Sequence, residues 1–110
     1  MRILFDQGTP VPLRAFLTEH EVVTAYECGW ADLHNGDLLT AAEKAGFDII
    51  ITTDQNLRYQ QNLSSRRLAI VVLLTTSWPK IKPHATWVGE AVMNLTKSTY
   101  LELPFPPPRD

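Results

Sequence analysis

The sequence has one cysteine, no internal repeat and no long apolar run. Cys28 alone can form neither an internal disulfide nor a cysteine metal cluster, so we expect a packing role in a reducing compartment. No apolar run approaches the roughly 20 residues that a membrane-spanning helix needs. The first acid, Asp6, follows only a short apolar stretch, which is too short for a signal peptide. These absences favour a cytoplasmic protein with no membrane partner.

Acidic residues are missing from the whole stretch between Asp54 and Glu90. Residues 1–54 carry nine acids and three bases, a net charge of −6, whereas residues 55–110 carry three acids and seven bases, a net charge of +4. One interpretation is chance along a solvated surface. The other is an acidic cluster beside a basic track, which is typical of a metal site acting on a phosphodiester backbone.

The order of apolar segments predicts a single α/β domain. The 110 residues, 45% of them hydrophobic, are enough for one core and too few for two. Predicted strands cover residues 2–5, 21–25, 48–52, 68–74 and 98–103. Predicted helices begin near Pro10, run from 35 to 45 and from 84 to 96, and include a polar helical segment at 57–65.

Alternating strands and helices predict a mainly parallel sheet flanked by helices on both faces. The strand at 68–74 has no polar alternation, so both of its faces should be buried. We expect strand 2–5 to be central, a domain that spans residues 1–103, and a Pro-rich tail at 104–110 that ends regular structure.

Two of the predicted strands end in an aspartate, Asp6 and Asp54. Ligands of open α/β sheets bind outside the carboxyl ends of the strands. If the two strands are neighbours, their carboxylates should lie within about 8 Å and share a hard cation. Asp37, at the start of a helix, is a third candidate ligand for the same cleft. Each acid also has a local alternative: a turn for Asp6, a cap for Asp54 and a helix dipole for Asp37.

An amide-rich stretch follows Asp54, from Gln55 to Asn62. Arg58 and Tyr59 within it, with Arg66 and Arg67 beyond it, are candidates for holding phosphates and for stacking on a base. A solvated helix or loop is the alternative. We expect the acid-free stretch to form a basic rim beside the acidic cleft.

The segments ILFDQGTP, NGDLLTAAEKAGFDIIITTDQNLRYQQNL and RRLAIVVLLTTSWPKIKPH resemble short bacterial PIN-like proteins, relatives of toxin–antitoxin ribonucleases. The resemblance covers about residues 1–95. It implies a PIN-like fold in which Asp6, Asp37 and Asp54 hold Mg²⁺ or Mn²⁺ and catalyse RNA hydrolysis. A toxin of this kind would have a small helix-turn-helix antitoxin as partner, and a homodimer is compatible with it. Gln7-Gly8 and Asn56 stand where many relatives have Glu-Asn and a further acid.

Two other functions remain open. The same fold without chemistry would be a module that binds RNA or a partner protein. A phosphoacceptor receiver domain also has an acid after its first strand, an Asp after its third and a Thr after its fourth, matched here by Asp6, Asp54 and Thr75. A receiver needs a lysine at the end of its fifth strand, and residues 98–103 contain none.

Overall fold

The computed structural model describes residues 1–57, 66–97 and 99–108, except the side chain of Asn35. Five strands form one sheet in which every neighbouring pair is parallel. The strands are β1 (Arg2–Phe5), β2 (Glu21–Thr24), β3 (Ile49–Thr52), β4 (Ala69–Leu73) and β5 (Tyr100–Leu103). Their order is β2-β1-β3-β4-β5, which confirms the predicted parallel α/β sheet. β1 is an interior strand as expected, but the middle position belongs to β3.

The helices connect these strands. They are a 3-10 helix at Val11–Phe16, α1 (Asn35–Lys44), α2 (Trp78–Ile81), a 3-10 turn at Lys82–His84 and α3 (Ala85–Met93). The helix predicted near Pro10 is a 3-10 helix, and its last bond runs from the Leu17 N–H to the Arg14 carbonyl. Apart from Leu57, the polar segment predicted at 57–65 lies outside the described residues. No helix in the described part of the chain is long and apolar enough to cross a membrane.

Both faces of the sheet are covered. Alternate side chains of β1 and β3, such as Phe5 and Ile51, pack with the 3-10 helix and with α2 and α3. Leu4 and Ile50 point to the other face and pack with α1. Every residue of β3 and of β4 is buried, which confirms the expectation for the fourth strand. Because both faces are filled by apolar side chains, polar chemistry can be placed only at the ends of the strands.

The C-terminal segment packs back on the domain. Residues 104–108 contain no helix or strand, as the prolines predict. The Phe105 ring nevertheless lies edge-on to Trp87, with ring centroids 5.8 Å apart, and 6.4 Å from the ring of His84. The tail is therefore anchored by one aromatic side chain, at least as far as Phe105.

A tight turn follows β1 and brings its loop onto the loop that follows β3. The Thr9 N–H donates to the Asp6 carbonyl at 3.1 Å, and Gly8 in this turn has a φ of +89°. A Cβ added at Gly8 would lie 2.8 Å from the Thr53 Oγ1. Only glycine therefore suits both the backbone angle and the approach of the two loops.

This close approach predicts different costs for two otherwise similar substitutions. Gly29 also has a positive φ, of +77°, but a Cβ there would meet nothing within 4 Å. Gly29→Ala should lower the free energy of unfolding by about 1–2 kcal/mol, the cost of the backbone angle alone. Gly8→Ala should cost more in urea unfolding, and Thr53→Ala should recover part of the excess in a double-mutant cycle. Equal costs and no coupling would mean that the two loops do not touch.

Candidate active site

Asp6 lies at the carboxyl edge of the sheet, between β1 and β3. Its backbone N–H donates to the Ile51 carbonyl at 2.9 Å, so the residue prolongs the β1–β3 pairing by one step. The strand order reverses direction between these two strands, and such a switch point is where open α/β sheets bind ligands. The half-buried carboxylate accepts a bond from the Gln7 N–H at Oδ1 and one from the Thr52 hydroxyl at Oδ2, both at 2.8 Å.

The Thr52 hydroxyl joins the two aspartates. Thr52 is the last residue of β3 and is only 1% exposed. Its Oγ1 donates to Asp6 and accepts from the Asp54 N–H at 3.1 Å. Asp54 in turn accepts the Asn56 N–H at Oδ1, 3.0 Å away, so the local capping role considered from the sequence is also present. One buried hydroxyl thus fixes both the Asp6 side chain and the Asp54 backbone.

Burial is the main cause of the raised pKa of Asp6. It raises the pKa of the carboxyl, whereas the hydrogen bonds from Thr52 and Gln7 act to lower it. The negative charge of Asp54 raises the pKa further, and the charge of His34 lowers it. The structure therefore brings Asp6 and Asp54 together at one edge, with His34 of the loop before α1 in electrostatic range.

Asp37 lies in the first turn of α1 and is exposed to solvent, and its N–H donates to the His34 carbonyl at 3.1 Å. The start of α1 follows β2, so it is on the carboxyl side of the sheet. Among residues 1–57, 66–97 and 99–108, no group of three or more His, Cys, Asp and Glu side chains is placed to hold a metal ion. The three-acid metal site with Asp37 as a ligand thus stays a prediction.

The chemistry of the remaining donors does fit a hard cation. Mg²⁺ is usually bound through one or two carboxylates, with water and substrate phosphates completing its shell. Asp6 and Asp54 supply two carboxylates, and burial together with their mutual repulsion disfavours a second negative charge in the absence of a cation. These two residues are therefore those that would hold Mg²⁺ or Mn²⁺.

Arg66 and Arg67 come before β4, and both contact α1. The Arg66 guanidinium donates to the Glu43 carboxylate at 2.8 Å, to the Thr40 hydroxyl at 2.9 Å and to the Gly36 carbonyl at 3.4 Å, so it lies along α1 and reaches the first turn of that helix. Burial acts to raise the pKa of Glu43, but the bonds from Arg66 and from the Arg67 N–H hold it below its usual value. Arg67 precedes β4, so it lies at the amino edge of the sheet, about 16 Å from the level of Asp6.

Parallel strands place the start of β4 and the end of β1 at opposite edges, so the backbone of Arg67 is not at the level of Asp6. The basic rim and the RNA role of Arg66 and Arg67 stay predictions. Arg58 and Tyr59, the other two nucleic-acid candidates, lie outside the described residues. Lys80 and Lys82 follow β4 on the carboxyl side and are exposed.

The sequence did not predict a functional role for His34 or for the Lys80–Lys82 pair. The signal for these residues was their position after a parallel strand, because every such loop lies at the carboxyl edge. The sequence indicated Thr52 only as the end of a strand two residues before Asp54, and not as a bridge between the two aspartates. A threonine at the end of a strand is common, and its bridging role depends on the register between β1 and β3.

Comparisons with protein-family models, with curated proteins and with solved structures each give no match. What the fold itself defines is a class: a five-stranded parallel α/β domain with strand order 2-1-3-4-5 and an acidic switch point.

The altered pKa of Asp6 predicts a pH-dependent gain from Asp6→Asn. A carboxyl whose pKa is raised by folding stabilises the native state fully below its ordinary value of 3.8, and this stabilisation is lost as the pH rises through the folded-state value. An amide does not titrate, and its Oδ1 and Nδ2 can still pair with Gln7 and Thr52. In metal-free urea unfolding, Asp6→Asn should therefore gain stability over the wild type as the pH rises from about 4 to 7.

Glu27→Gln is the matched control, with the opposite sign. Bonds from the Thr24 N–H and from Arg14 lower the pKa of Glu27 below its ordinary 4.5. The Glu27 carboxylate therefore stabilises the native state above that pH, and the stabilisation is lost as the pH falls through the folded-state value. The free energy of unfolding of Glu27→Gln should therefore decrease relative to that of the wild type as the pH rises. If the difference in free energy of unfolding between Asp6→Asn and the wild type does not change with pH, folding does not raise the pKa of Asp6.

Proposed function

We propose that this protein is a metal-dependent ribonuclease that hydrolyses phosphodiester bonds at the carboxyl edge between β1 and β3. The observation that carries the proposal is the pair Asp6 and Asp54 at the switch point, linked through the buried Thr52 hydroxyl. A half-buried carboxylate with a raised pKa beside a second carboxylate is typical of a functional site. Placing two carboxylates this close together disfavours folding in the absence of a cation, but it favours the binding of one.

The residues of the chain have distinct parts in this proposal. Asp6 and Asp54 would hold Mg²⁺ or Mn²⁺, which when bound supplies positive charge that polarises a phosphodiester and makes water more acidic. Thr52 and the Gln7 N–H hold the Asp6 carboxylate in one orientation, so that little conformational freedom is lost on binding. His34, whose charge acts on Asp6, is a candidate to move a proton.

RNA as the substrate is supported by the distribution of charge. Lys80 and Lys82 are exposed and follow β4, so they lie on the carboxyl side of the sheet, as Asp6 and Asp54 do. Positive side chains beside an acidic cleft can hold the phosphates that flank the scissile bond. The likeness to PIN-type toxins extends the proposal to a toxin of a toxin–antitoxin pair, with a small helix-turn-helix antitoxin as its partner.

The decisive variant is Asp6→Asn, compared with the wild type and with Glu90→Gln, which removes an exposed acid on α3. Wild-type protein with Mn²⁺ should cleave single-stranded RNA, and Mn²⁺ should raise its thermal unfolding midpoint, because a ligand bound only to the native state stabilises it. Asp6→Asn should lose both effects, with cleavage down by more than about 100-fold. Glu90→Gln should retain both.

The outcomes separate the remaining functions. If Mn²⁺ neither stabilises the wild type nor supports cleavage, the ribonuclease proposal fails. RNA binding in that case would support a non-catalytic binding module of the same fold. Cleavage that survives Asp6→Asn would place the chemistry elsewhere.

A phosphoacceptor receiver is the second candidate, and the strand order favours it. The order 2-1-3-4-5 is that of flavodoxin-like folds, which include receiver domains. Asp54 follows β3, where a receiver has its phosphoacceptor. β5 contains Tyr100, Leu101, Glu102 and Leu103 and no lysine, which weighs against this function. If the protein is a receiver, a small phosphodonor such as acetyl phosphate should add one phosphoryl group to the wild type and none to Asp54→Asn, as measured by mass spectrometry.

A further inference from the structure

A cleft of about 590 Å³ opens directly beside Asp6. It lies between the loop that follows β1 and the loop that follows β2, and we call it the β1–β2 cleft. Its walls include Phe5, Val11, Ala25 and Tyr26, with Asp6 at one end. Its volume is within the range of pockets that hold small organic ligands, and mostly apolar walls with a few polar groups are the usual lining of such pockets.

Tyr26 is the most exposed large apolar side chain in the described part of the protein, at 78%. Its side chain contributes little to the core, yet its backbone is held firmly. The Glu27 N–H donates to the Thr24 hydroxyl at 3.0 Å, the Thr24 N–H donates to the Glu27 carboxylate at 2.9 Å, and the Gly29 N–H donates to the Tyr26 carbonyl at 3.0 Å. An aromatic ring on a fixed turn is a stacking surface that costs little entropy to use.

The charges around the cleft exclude an anion as its occupant. The Arg14 guanidinium donates to the Glu27 carboxylate at 2.9 Å, so these two lining residues neutralise each other. Asp6 then adds negative charge at one end of the cleft. A phosphate or carboxylate group would be repelled, whereas a neutral planar ring would meet apolar walls and a tyrosine face. The exposed Gln7 amide adds a hydrogen-bonding group at the rim.

We propose that the β1–β2 cleft binds one unpaired nucleobase of the RNA, stacked on Tyr26, next to the phosphodiester at Asp6 and Asp54. This inference rests on the proposed function for its substrate class. Sequence-tolerant stacking on an aromatic side chain is the common way in which proteins hold single-stranded nucleic acid. The cleft would admit a base only from a single strand, because a base in a duplex is stacked and paired.

The test measures binding of nucleosides in a metal-free buffer with chelator, by NMR or calorimetry, so that cleavage plays no part. Adenosine and uridine are compared with ribose, which has the same sugar and no base, and none of the three carries a phosphate that the acids would repel. The nucleosides should bind and shift the Tyr26 ring resonances, and ribose should not bind. Tyr26→Ala should weaken nucleoside binding by about tenfold or more, the usual effect of losing one stacking ring.

Two controls make the result specific. Tyr26→Phe keeps the ring and should keep the affinity, and Met93→Ala removes another exposed apolar side chain, 61% exposed on α3, and should change nothing. Equal binding of ribose, no binding of either nucleoside, or unchanged affinity in Tyr26→Ala would each overturn the inference. Nucleoside binding that depends on Tyr26 in a protein that never cleaves RNA would support the cleft and refute the ribonuclease.

Discussion

The site depends on one buried hydroxyl. Thr52, at the end of β3, donates to the Asp6 carboxylate and accepts from the Asp54 N–H. Without it, the ends of β1 and β3 would still be neighbours through backbone pairing, but the Asp6 carboxylate would keep only the bond from the Gln7 N–H. A hydroxyl is suited to this position because it donates and accepts at once, which a carboxylate or an ammonium group cannot do. The Thr52 side chain thus links the Asp6 carboxylate to the backbone of Asp54.

The location of the site follows from the way in which the core is built. β3 and β4 are buried along their whole length, and helices cover both faces of the sheet. A charge on either face of β3 or β4 would be desolvated without a partner, so Asp48 and Asp54 flank β3 and no acid lies within these two strands. Parallel strands bring all of their carboxyl ends to one edge, and the loops after β1, β2 and β3 therefore converge. Asp6 lies at such a strand end and is half-buried. Its pKa is raised because its burial and the nearby charge of Asp54 disfavour the ionised carboxylate.

The sequence was sufficient to predict the elements with strong local signals. Uninterrupted apolar runs identified β3 and β4, the helix predicted at 35–45 corresponds to α1, and the alternation of elements indicated a parallel sheet. Contacts between segments that are far apart in the sequence could not be predicted from the sequence. Arg66 pairs with Glu43 on α1, and Asp37 is exposed on the same helix. Both features depend on how α1 is rotated about its axis as it packs on the sheet. Prolines near residue 11 signalled a helix start but not that the helix would be 3-10.

The most direct test of this account is an NMR titration of the Asp6 side-chain carboxyl in metal-free wild type and in Thr52→Val, which is nearly isosteric. The account predicts a pKa above 3.8 in the wild type, because burial and the Asp54 charge outweigh the hydrogen bonds. It predicts a higher pKa in Thr52→Val, because the bond that favours the ionised carboxylate is lost. A wild-type pKa at or below 3.8, or one that does not rise in Thr52→Val, would contradict the claim that Thr52 holds a buried Asp6 beside Asp54.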